Sequence, residues 1–293
     1  MTERIVPGHW YAIGVYAGAS PLALSPAPGV DNPVLTYRDV DDARATFVAD
    51  PFLIRHDGLW HLFFEVFNDA VYQGEIAVAV SRDLRRWEYR GRVLVEPFNV
   101  SYPCVFRWRG GFYMVPEMYG QGCVRLYRAE AFPRGWRPVG DLIEDGPVAD
   151  PTPFRFDGAW WMFTCPRPED HDVLRLYRAD ELTGPWREHP ASPIVDGDRR
   201  GARPAGRVVE WDGRLARYAQ DCHPQYGTAV RAFEITRLTA AEYRERPLEG
   251  SPMREPEPDA WNSRGRHHVD AHRLDDGTWI AVVDGHDHPS YRR

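Results

Sequence analysis

The sequence predicts an all-β fold, a five-bladed β-propeller that is closed by pairing of the N-terminal strand with the last blade. A hairpin-like unit recurs five times, with its equivalent positions at residues 50, 102, 150, 203 and 268. A repeat of roughly 40 to 50 residues with about four strands is typical of a propeller blade. No stretch has the long 3.6-residue periodicity of a helix, so residues 1–293 are predicted to form one domain.

The first unit, residues 49–65, shows the pattern most clearly. It opens on Asp50-Pro51, continues as a short apolar strand, turns at Asp57-Gly58 and ends a second, aromatic-rich strand at Glu65. An Asp-Gly pair between two apolar runs favours a two-residue hairpin. Residues 74–81 and 87–89 then supply a third and a fourth strand.

The second and third units repeat this order. The second runs from residue 101 to Glu117 with a turn at Gly110-Gly111, and the third opens at residue 149 and turns at Asp157-Gly158. Their next strands, residues 125–129 and 175–179, have the same sequence, Arg-Leu-Tyr-Arg-Ala. This identity indicates that the units are copies of one blade.

The fourth and fifth units are less regular. The fourth has strands at 202–209 and 215–221, and residues 238–243 behind it are expected to form a helical turn. The fifth has strands at 267–274 and 278–284 and lacks outer strands. Residues 10–16 form a strand-like run without a partner, and this run is expected to complete the fifth blade so that no sheet edge stays open.

Composition excludes several classes of function. A net charge of -7 and a pI of about 5.9 give no basic surface for nucleic acid or for an anionic membrane. The four cysteines have no zinc-ligand spacing and are expected to be reduced thiols. Residues 1–10 lack an apolar signal core and no run is long enough for a membrane helix, so a cytoplasmic location is predicted.

The repeated position predicts where the chemistry occurs. The innermost strands of a propeller start at the same end of the central channel, so equivalent residues there become neighbours. The predicted ring comprises Asp50, Tyr102, Asp150, Arg203, His267 or His268, and, from the second strands, Glu65, Glu117, Gln220 and Asp221. Several acids and bases in one concave site shift each other's pKa values, which suits acid–base chemistry on a small-molecule or oligosaccharide ligand.

Two kinds of chemistry fit these residues. Glycoside cleavage needs two carboxyl groups on either side of the scissile bond, and Asp50 and Asp150, in blades one and three, can face each other across a narrow axis. No cofactor or metal is predicted for this reaction. The alternative is a single central metal ion near His268, because imidazole and carboxylate groups cluster at residues 267–272 and 284–288.

Ten short motifs carry a resemblance to a known family. They are residues 32–36, 47–52, 63–65, 101–103, 114–117, 150–152, 182–186, 203–207, 220–222 and 267–270. In these motifs the chain resembles the glycoside-hydrolase-like five-bladed propellers found at the N-terminus of plant glucosamine inositolphosphorylceramide transferase and in bacterial proteins, some joined to formyltransferase-like domains. More distantly it is similar to arabinanase, xylosidase and invertase propellers.

The distant resemblance implies roles for three positions. In those enzymes an Asp of blade one is the base or nucleophile, and an Asp of blade three orients the other catalytic groups or tunes their pKa. Asp50 and Asp150 match these two positions. Their proton donor is a Glu of blade four, where this chain has Arg203. Either another acid donates the proton, for which Glu117, Glu65 and Asp221 are candidates and Glu117 is the most plausible, or the protein does something other than ordinary hydrolysis. Arg203 would instead suit a carboxylate or phosphate on the ligand.

The sequence thus predicts a carbohydrate-active enzyme of glycosidase or transglycosidase type that acts on a furanoside or an anionic sugar conjugate. The alternative is a non-catalytic partner of a glycan-modifying enzyme that binds sugar or sugar phosphate, since the blade-four acid is missing. A third reading is an enzyme of another class that uses the same propeller mouth, because fold does not determine function.

Overall fold

The computed structural model describes residues 11–144 and 146–287, and these form 21 strands and one 3-10 helix. In chain order they are β1 (Ala12–Ser20), β2 (Ala23–Pro26), the 3-10 helix (Tyr37–Asp39), β3 (Ala45–His56), β4 (Leu59–Asn68), β5 (Gln73–Ser81), β6 (Glu88–Leu94), β7 (Ser101–Trp108), β8 (Gly111–Glu117), β9 (Val124–Ala131), β10 (Arg134–Ile143), β11 (Ala149–Phe156), β12 (Ala159–Cys165), β13 (Val173–Ala179), β14 (Arg187–Glu188), β15 (Val195–Asp196), β16 (Val209–Trp211), β17 (Arg214–Asp221), β18 (Ala229–Leu238), β19 (Tyr243–Pro247), β20 (Val269–Arg273) and β21 (Trp279–Gly285).

These strands form five antiparallel sheets, which confirms the predicted five-bladed propeller. The blades are β3-β4-β5-β6, β7-β8-β9-β10, β11-β12-β13-β14 with β15 also on β13, β16-β17-β18-β19, and β20-β21-β1-β2. Three of the predicted Asp-Gly turns join inner hairpins, with left-handed backbone at Asp57, Asp157 and Asp212. In blade two the turn is Arg109-Gly110, one residue before the predicted position.

The predicted closure of the ring is confirmed. Strand β1 pairs antiparallel with β21 from Ala12↔Gly285 to Gly18↔Trp279, so the last blade takes its inner strands from one end of the chain and its outer strands from the other. The sequence analysis missed β2, because four residues bounded by prolines show no alternation. Trp10, where the closing strand was expected to begin, and His288 lie outside the described residues, as does the region 1–10 that lacks a signal core.

The helical turn expected at residues 238–243 is wrong. Strand β18 ends at Leu238 and a tight hairpin leads into β19, which is the fourth strand of blade four. The Thr239 N–H donates to the Glu242 carbonyl at 2.9 Å, and the Thr239 hydroxyl accepts the Glu242 N–H at 2.9 Å. Four residues between two paired strands are too few to nucleate a helix.

The apolar core lies between neighbouring blades. Five buried clusters occur among the described residues, and each is shared by two adjacent blades. One joins Phe63 of blade one to Met114 of blade two, and another joins Ile13 of the closing strand to Leu62 of blade one. The four cysteines are free and buried, in agreement with the sequence analysis. Among the residues described, no helix has the length and apolarity needed to span a membrane.

Candidate active site at the propeller mouth

Three inner strands carry the same bulge at the predicted ring position. The ladder pairing is interrupted at Asp50, Tyr102 and Asp150, and these residues have φ of 52°, 45° and 50°. Each is followed by proline, which has no N–H to continue the ladder. A bulge re-aims a side chain, and left-handed backbone at a non-glycine residue is strain of the kind that clusters at functional sites. The X-Pro repeat of the sequence therefore encodes the ring.

Acids from one blade hold the backbone of the next. The Asp284 carboxylate accepts the Asp50 N–H at 3.1 Å, Asp50 accepts the Tyr102 N–H at 3.2 Å, and Glu117 accepts the Asp150 N–H at 2.9 Å. Each bulge thus leaves an N–H that an acidic side chain satisfies. The carboxylates are fixed around the channel by these bonds, and all are buried.

Blade four places a guanidinium against the acid of blade three. Arg203 Nε donates to Asp150 Oδ2 at 2.5 Å, and Arg203 Nη2 lies 3.6 Å from Glu117 Oε2. Gln220 Nε2 donates to the same Asp150 oxygen at 2.9 Å. The position that the distant resemblance reserves for a glutamic acid therefore holds a cation, which neutralises the carboxylate beside it.

The remaining contacts of Arg203 face the loops of the mouth. Its Nη1 donates to His171 Nδ1 at 2.9 Å and to the Pro168 carbonyl at 3.3 Å, and its guanidinium lies 5.0 Å from the centre of the Tyr226 ring. Burial and the charge of Arg203 lower the pKa of His171 to about 4, so this imidazole is neutral at pH 7. The loops thus hold Arg203 from the side opposite Asp150.

The two predicted histidines have different environments. His267 lies between two acids, with Nδ1 at 3.0 Å from the Asp284 carboxylate and Nε2 at 3.4 Å from Asp50 Oδ1. His268 Nδ1 is 3.8 Å from the same Asp50 oxygen, and neither nitrogen of its ring has a hydrogen-bond partner. The His268 ring packs edge-on against Phe52, and burial lowers its pKa to about 4.

Asp284 is a member of the site that the predicted residues do not include. It accepts the backbone N–H groups of Asp50, His267 and His268, in addition to its contact with the His267 ring. Although burial acts in the opposite direction, His267 holds the pKa of Asp284 below its usual range. The signal was present in the sequence, because Asp284 follows the second apolar run of its unit as Glu65 and Glu117 follow theirs.

Tyr102 and Asp221 have partners away from the acidic ring. The Tyr102 hydroxyl accepts the Gly206 N–H at 2.8 Å and shares a hydrogen bond with Thr152 at 2.8 Å, so its fully buried ring fills the channel. Asp221 accepts from Arg231 Nε at 2.7 Å, on the neighbouring strand β18. Their roles as ligand contacts stay predictions.

The channel is closed below the ring by a second charged group. Arg207 Nε donates to Asp270 Oδ1 at 2.8 Å, and Arg207 Nη2 donates to the Val105 carbonyl at 3.0 Å. His272 Nε2 lies 2.9 Å from Asp270 Oδ2. Asp270 and His272 therefore serve this cross-link between blades.

Burial and mutual repulsion change the protonation of the acids. Burial, with Asp150 and Asp284 as charged neighbours, raises the pKa of Asp50 well above its usual value. Burial and the nearby Asp50 do the same for Glu65. Burial and Asp150 raise the pKa of Glu117 to about 8, with Arg203 opposing them. Glu117 is thus mostly protonated at neutral pH and can donate a proton.

A cleft connects this ring to solvent. It has a volume of about 260 Å³ and is lined by Glu117, Tyr119, Pro168, Glu169, His171, Arg203 and Tyr226. Tyr119 is 40% exposed and its hydroxyl donates to Glu169 at 2.7 Å. The loops that follow the second strands of blades two, three and four supply most of the lining. Loop residues have no repeat pattern, and for that reason the sequence analysis missed them.

Three of the buried groups are close enough to share an ion. One ligand atom each from Asp50, His267 and Asp284 lie within 4.8 Å of one another. The set contains two carboxylates and one imidazole, which suits zinc, manganese or iron. Both nitrogens of His267 already face these carboxylates, Nδ1 in a hydrogen bond with Asp284 and Nε2 in a 3.4 Å contact with Asp50.

Comparison with known proteins gives one family. A family model described as glucosamine inositolphosphorylceramide transferase 1, N-terminal, matches residues 6–286. The glucosamine inositolphosphorylceramide transferase 1 of Oryza sativa subsp. japonica is 39% identical in an alignment 304 positions long, which covers 97% of this chain and 41% of that protein. The protein of the same name from Arabidopsis thaliana is 34% identical in an alignment 300 positions long, which covers 95% of this chain and 39% of that protein. The chain thus spans about two fifths of these relatives.

Solved structures give the fold. The catalytic domain of Coprinopsis cinerea GH62 α-L-arabinofuranosidase aligns with a TM-score of 0.61 and 14% identity, over 96% of this chain and 98% of that one. A thermostable family-43 glycoside hydrolase has a TM-score of 0.61 and 15% identity, over 88% and 92%. The Cellvibrio cellulosa α-L-arabinanase complexed with arabinohexaose has a TM-score of 0.57 and 17% identity, over 80% and 90%. At these identities the likeness concerns the propeller itself.

Proposed function

The chain belongs to the family of the N-terminal part of glucosamine inositolphosphorylceramide transferase 1, and from this premise we propose that its propeller mouth is the active site of a carbohydrate-active enzyme. The reaction is glycosyl transfer, either to water or to another hydroxyl group. One observation carries the proposal. Glu117, an acid with a raised pKa, lines an open cleft beside Asp50, and both are fixed by N–H groups of neighbouring blades.

Each acid has a separate role in this reaction. Glu117 carries a proton at neutral pH and gives it to the oxygen of the leaving group. Asp50 acts in its ionised form, which its raised pKa disfavours, as base towards the acceptor hydroxyl or as nucleophile at the anomeric carbon. Asp150 is bonded by both Arg203 and Gln220, and burial together with the charge of Asp150 raises the pKa of Glu117, which keeps the proton on that acid.

The substitution at blade four is consistent with this division of roles. A glutamic acid next to Asp150 would add another repelling charge, whereas Arg203 neutralises Asp150 and approaches Glu117 at 3.6 Å. The proton donor has therefore moved from blade four to Glu117 of blade two.

The ligand we propose is a furanoside or an anionic sugar conjugate. The solved neighbours include an arabinofuranosidase and an arabinanase complexed with arabinohexaose, which supports a sugar ligand. The relatives are named for inositolphosphorylceramide, a phosphate-containing conjugate. Arg203 is the guanidinium that lines the cleft, and its planar fork suits phosphate.

Turnover of aryl glycosides by single variants tests the assignment. The Asp50→Asn and Glu117→Gln variants are expected to lose activity by on the order of 10³-fold, because each removes a group that transfers a proton. The matched control is Asp141→Asn, which changes an acid on the outer strand of blade two that bonds Arg125. An Asp50→Asn variant as active as the wild type would exclude the proposed role of Asp50.

A non-catalytic sugar or sugar-phosphate binding partner of a glycan-modifying enzyme is the second candidate, and the absence of a blade-four acid favours it. Calorimetry with arabino-oligosaccharides and sugar phosphates distinguishes the two. Tight binding with no turnover during long incubation would support the binding protein. Turnover that disappears in Asp50→Asn would support the enzyme.

We propose that the reaction uses no resident metal, because the nitrogens of His267 and the oxygens of Asp50 and Asp284 already face one another. A single central ion next to His268 remains the alternative, since the three ligand atoms lie within 4.8 Å. Elemental analysis of purified protein tests this directly. One equivalent of a transition metal, lost in His267→Ala, would establish the central ion.

A further inference from the structure

We propose that Tyr119 binds the leaving group of the substrate and that Glu169 is the positioning residue that holds Tyr119 in place, an inference that rests on the proposed glycosyl transfer. The group bound there is a single hydroxyl-bearing ring, such as one sugar residue. Tyr119 is 40% exposed, and its hydroxyl donates to Glu169 Oε1 at 2.7 Å. Both residues line the cleft that contains Glu117.

The place of Tyr119 next to the leaving group follows from the role of Glu117. In the proposed reaction Glu117 protonates the leaving oxygen, so the group attached to that oxygen lies in the space beside Glu117. Tyr119 is two residues further along the chain and lines the same cleft. Met118, between them, is buried in the core shared by blades one and two, while its neighbours on both sides face the cleft. A leaving group that accepts the proton of Glu117 therefore meets Tyr119.

Tyr119 offers an apolar surface that the cleft otherwise lacks. Five large apolar side chains are exposed among the described residues, and Tyr119 is the member of this set that lines the cleft. The face of its ring is flat and apolar, and it suits the C–H groups on one face of a sugar ring. The hydroxyl groups of that sugar need polar partners. An ionised carboxylate accepts several hydrogen bonds, so Glu169 can accept a ligand hydroxyl in addition to that of Tyr119.

The size of the cleft limits the leaving group to one ring. Its volume is about 260 Å³. Pockets that enclose drug-sized ligands have volumes of about 300 to 1,000 Å³, so this cleft is below that range. One ring fits beside Tyr119, and any further residues of a longer ligand would lie in solvent.

The loop of Tyr119 has little packing of its own. Gly120 and Gly122 follow with φ of 89° and 71°, and a Cβ placed on either would meet no atom within 4 Å. The hydrogen bond to Glu169 joins this loop of blade two to the loop after β12 in blade three. A side chain that is fixed before the ligand arrives loses less conformational entropy on binding. Glu169 thus acts on the ligand through Tyr119.

Glu169 can hold Tyr119 because its own loop is anchored. The Asp170 N–H donates to the Arg167 carbonyl at 3.1 Å, which makes a tight turn around Glu169. The Arg167 side chain in turn lies 3.0 Å from the Asp172 carboxylate. The turn is thereby closed on both sides of Glu169, and the carboxylate is a fixed acceptor for the Tyr119 hydroxyl.

Two substrates with the same sugar and different leaving groups test the subsite. Tyr119→Ala is expected to lower kcat/KM for α-1,5-arabinobiose by about 10- to 30-fold, because a sugar ring loses its aromatic contact. With methyl α-L-arabinofuranoside kcat/KM should be unchanged, since a methyl group does not reach Tyr119. The matched control is Tyr72→Ala, at a 66% exposed tyrosine in the corresponding loop of blade one. Equal losses for the two substrates would overturn the proposal.

Variants of the hydrogen bond test the positioning role of Glu169. Tyr119→Phe keeps the ring and Glu169→Ala removes the acceptor, and each is expected to raise KM for arabinobiose about 2- to 10-fold with kcat unchanged. Glu169→Gln should recover most of the loss, because an amide oxygen still accepts the hydroxyl hydrogen. The double variant should be no weaker than Glu169→Ala, since both changes remove the same bond. Additive losses, or a glutamine no better than alanine, would contradict positioning.

Fluorine NMR of protein labelled with 3-fluorotyrosine separates this inference from the proposed function, because it needs no turnover. The Tyr119 signal is assigned by its loss in Tyr119→Phe. Titration with free arabinose, xylose, glucose and galactose should shift that signal for at least one sugar and leave the Tyr72 signal in place. Such a shift without turnover of any glycoside would reject the function and retain the subsite. Turnover with no shift by any of the four sugars would retain the function and reject the inference.

Discussion

Glu117 shows how position alone changes the pKa of an ordinary acid. Its carboxyl is buried beside Asp150, and the resulting pKa of about 8 is high enough to keep the proton at neutral pH. Its Oε2 nevertheless accepts the Asp150 N–H at 2.9 Å, which fixes the group in place. Because Glu117 also lines the cleft, the proton is available to a ligand.

The pKa of Glu117 gives a pH prediction. Activity requires the protonated acid, so kcat/KM should fall as pH increases through about 8. In Glu117→Gln the fall should disappear, with a large loss for alkyl glycosides and a small loss for 2,4-dinitrophenyl glycosides, which leave without protonation. Profiles of both substrates measure this. Equal losses for the two leaving groups would contradict the assignment.

The raised pKa of Glu117 also makes the stability of the folded protein depend on pH. Since the pKa is higher in the folded protein, the folded state retains a proton that the unfolded chain loses. The stability from this group is complete below the unfolded pKa and is lost as pH increases towards about 8. Urea titrations at pH 5 and pH 8 should show a smaller pH-dependent loss in Glu117→Gln than in the wild type.

Arg203 is the residue that separates this site from its distant relatives. Its charge lowers the pKa of Glu117, so in Arg203→Gln the high-pH limb of kcat/KM should move to still higher pH. The change also leaves Asp150 without its ion pair, which costs about 3 to 5 kcal/mol when a buried pair is broken. Arg203→Lys is the matched variant, because it keeps the charge and loses the fork. In Arg203→Lys the high-pH limb of kcat/KM should stay near its wild-type position.

Sequence reasoning found the ring where a repeat existed and failed where none did. Asp50 and Asp150 were found because X-Pro recurs, and Glu117 because it follows the second apolar run of its unit as Glu65 does. Asp284 obeys the same rule but was assigned to a loose cluster of histidines and acids. The hydrogen bond from Arg203 to Asp150 could not be predicted from the sequence, because a contact between blades depends on the rotation of one blade against the next.

At the scale of elements, the strands were predictable from the alternation of apolar and polar residues and from turn residues. The ends of the strands were not predictable. Blade four shows this well. A continuous inner strand was expected at 202–209, yet β16 begins only at Val209, and residues before it contact β17 through an isolated bridge at Pro204. Proline at 204 and glycine at 206 weaken a ladder, and this irregular segment is what brings Arg203 into the ring.

Gly206 in this segment gives a prediction for stability. Its φ is 123°, and a Cβ there would lie only 1.9 Å from the Val269 carbonyl oxygen of the last blade. Gly206→Ala should therefore lower the free energy of unfolding by about 3 kcal/mol or more. Gly213→Ala is the control, since its φ is 72° but no atom lies within 4 Å, and about 1 kcal/mol is expected. Urea denaturation of both variants tests the difference.

At the scale of the whole molecule, the ring brings the first and the last described strands together beside the candidate site. Strand β1 pairs with β21, and in that register Ile13 is opposite Asp284, which holds Asp50 and His267. Ring closure was predicted from a single unpaired strand, since an odd strand ahead of a repeat has one obvious partner. The consequence for Asp284 could not be predicted, because it depends on the exact register.

Because the ring of blades is closed, we expect that a mutation at the contact between two blades destabilises the whole propeller. Ile13 is fully buried and packs with Leu62 of blade one, so Ile13→Ala should cost about 2 to 5 kcal/mol through the cavity it leaves. If the blades unfold together, amide hydrogen exchange of β12 in blade three should lose the same free energy as the strands beside Ile13. Val139→Ala, at a 46% exposed position on β10, is the control and should change little.

Protection that falls in the last blade and blade one while β12 is unaffected would mean that the ring opens at its closure without unfolding. In that case the Asp284 contacts would be lost on opening, and activity would fall more steeply with temperature than global structure does.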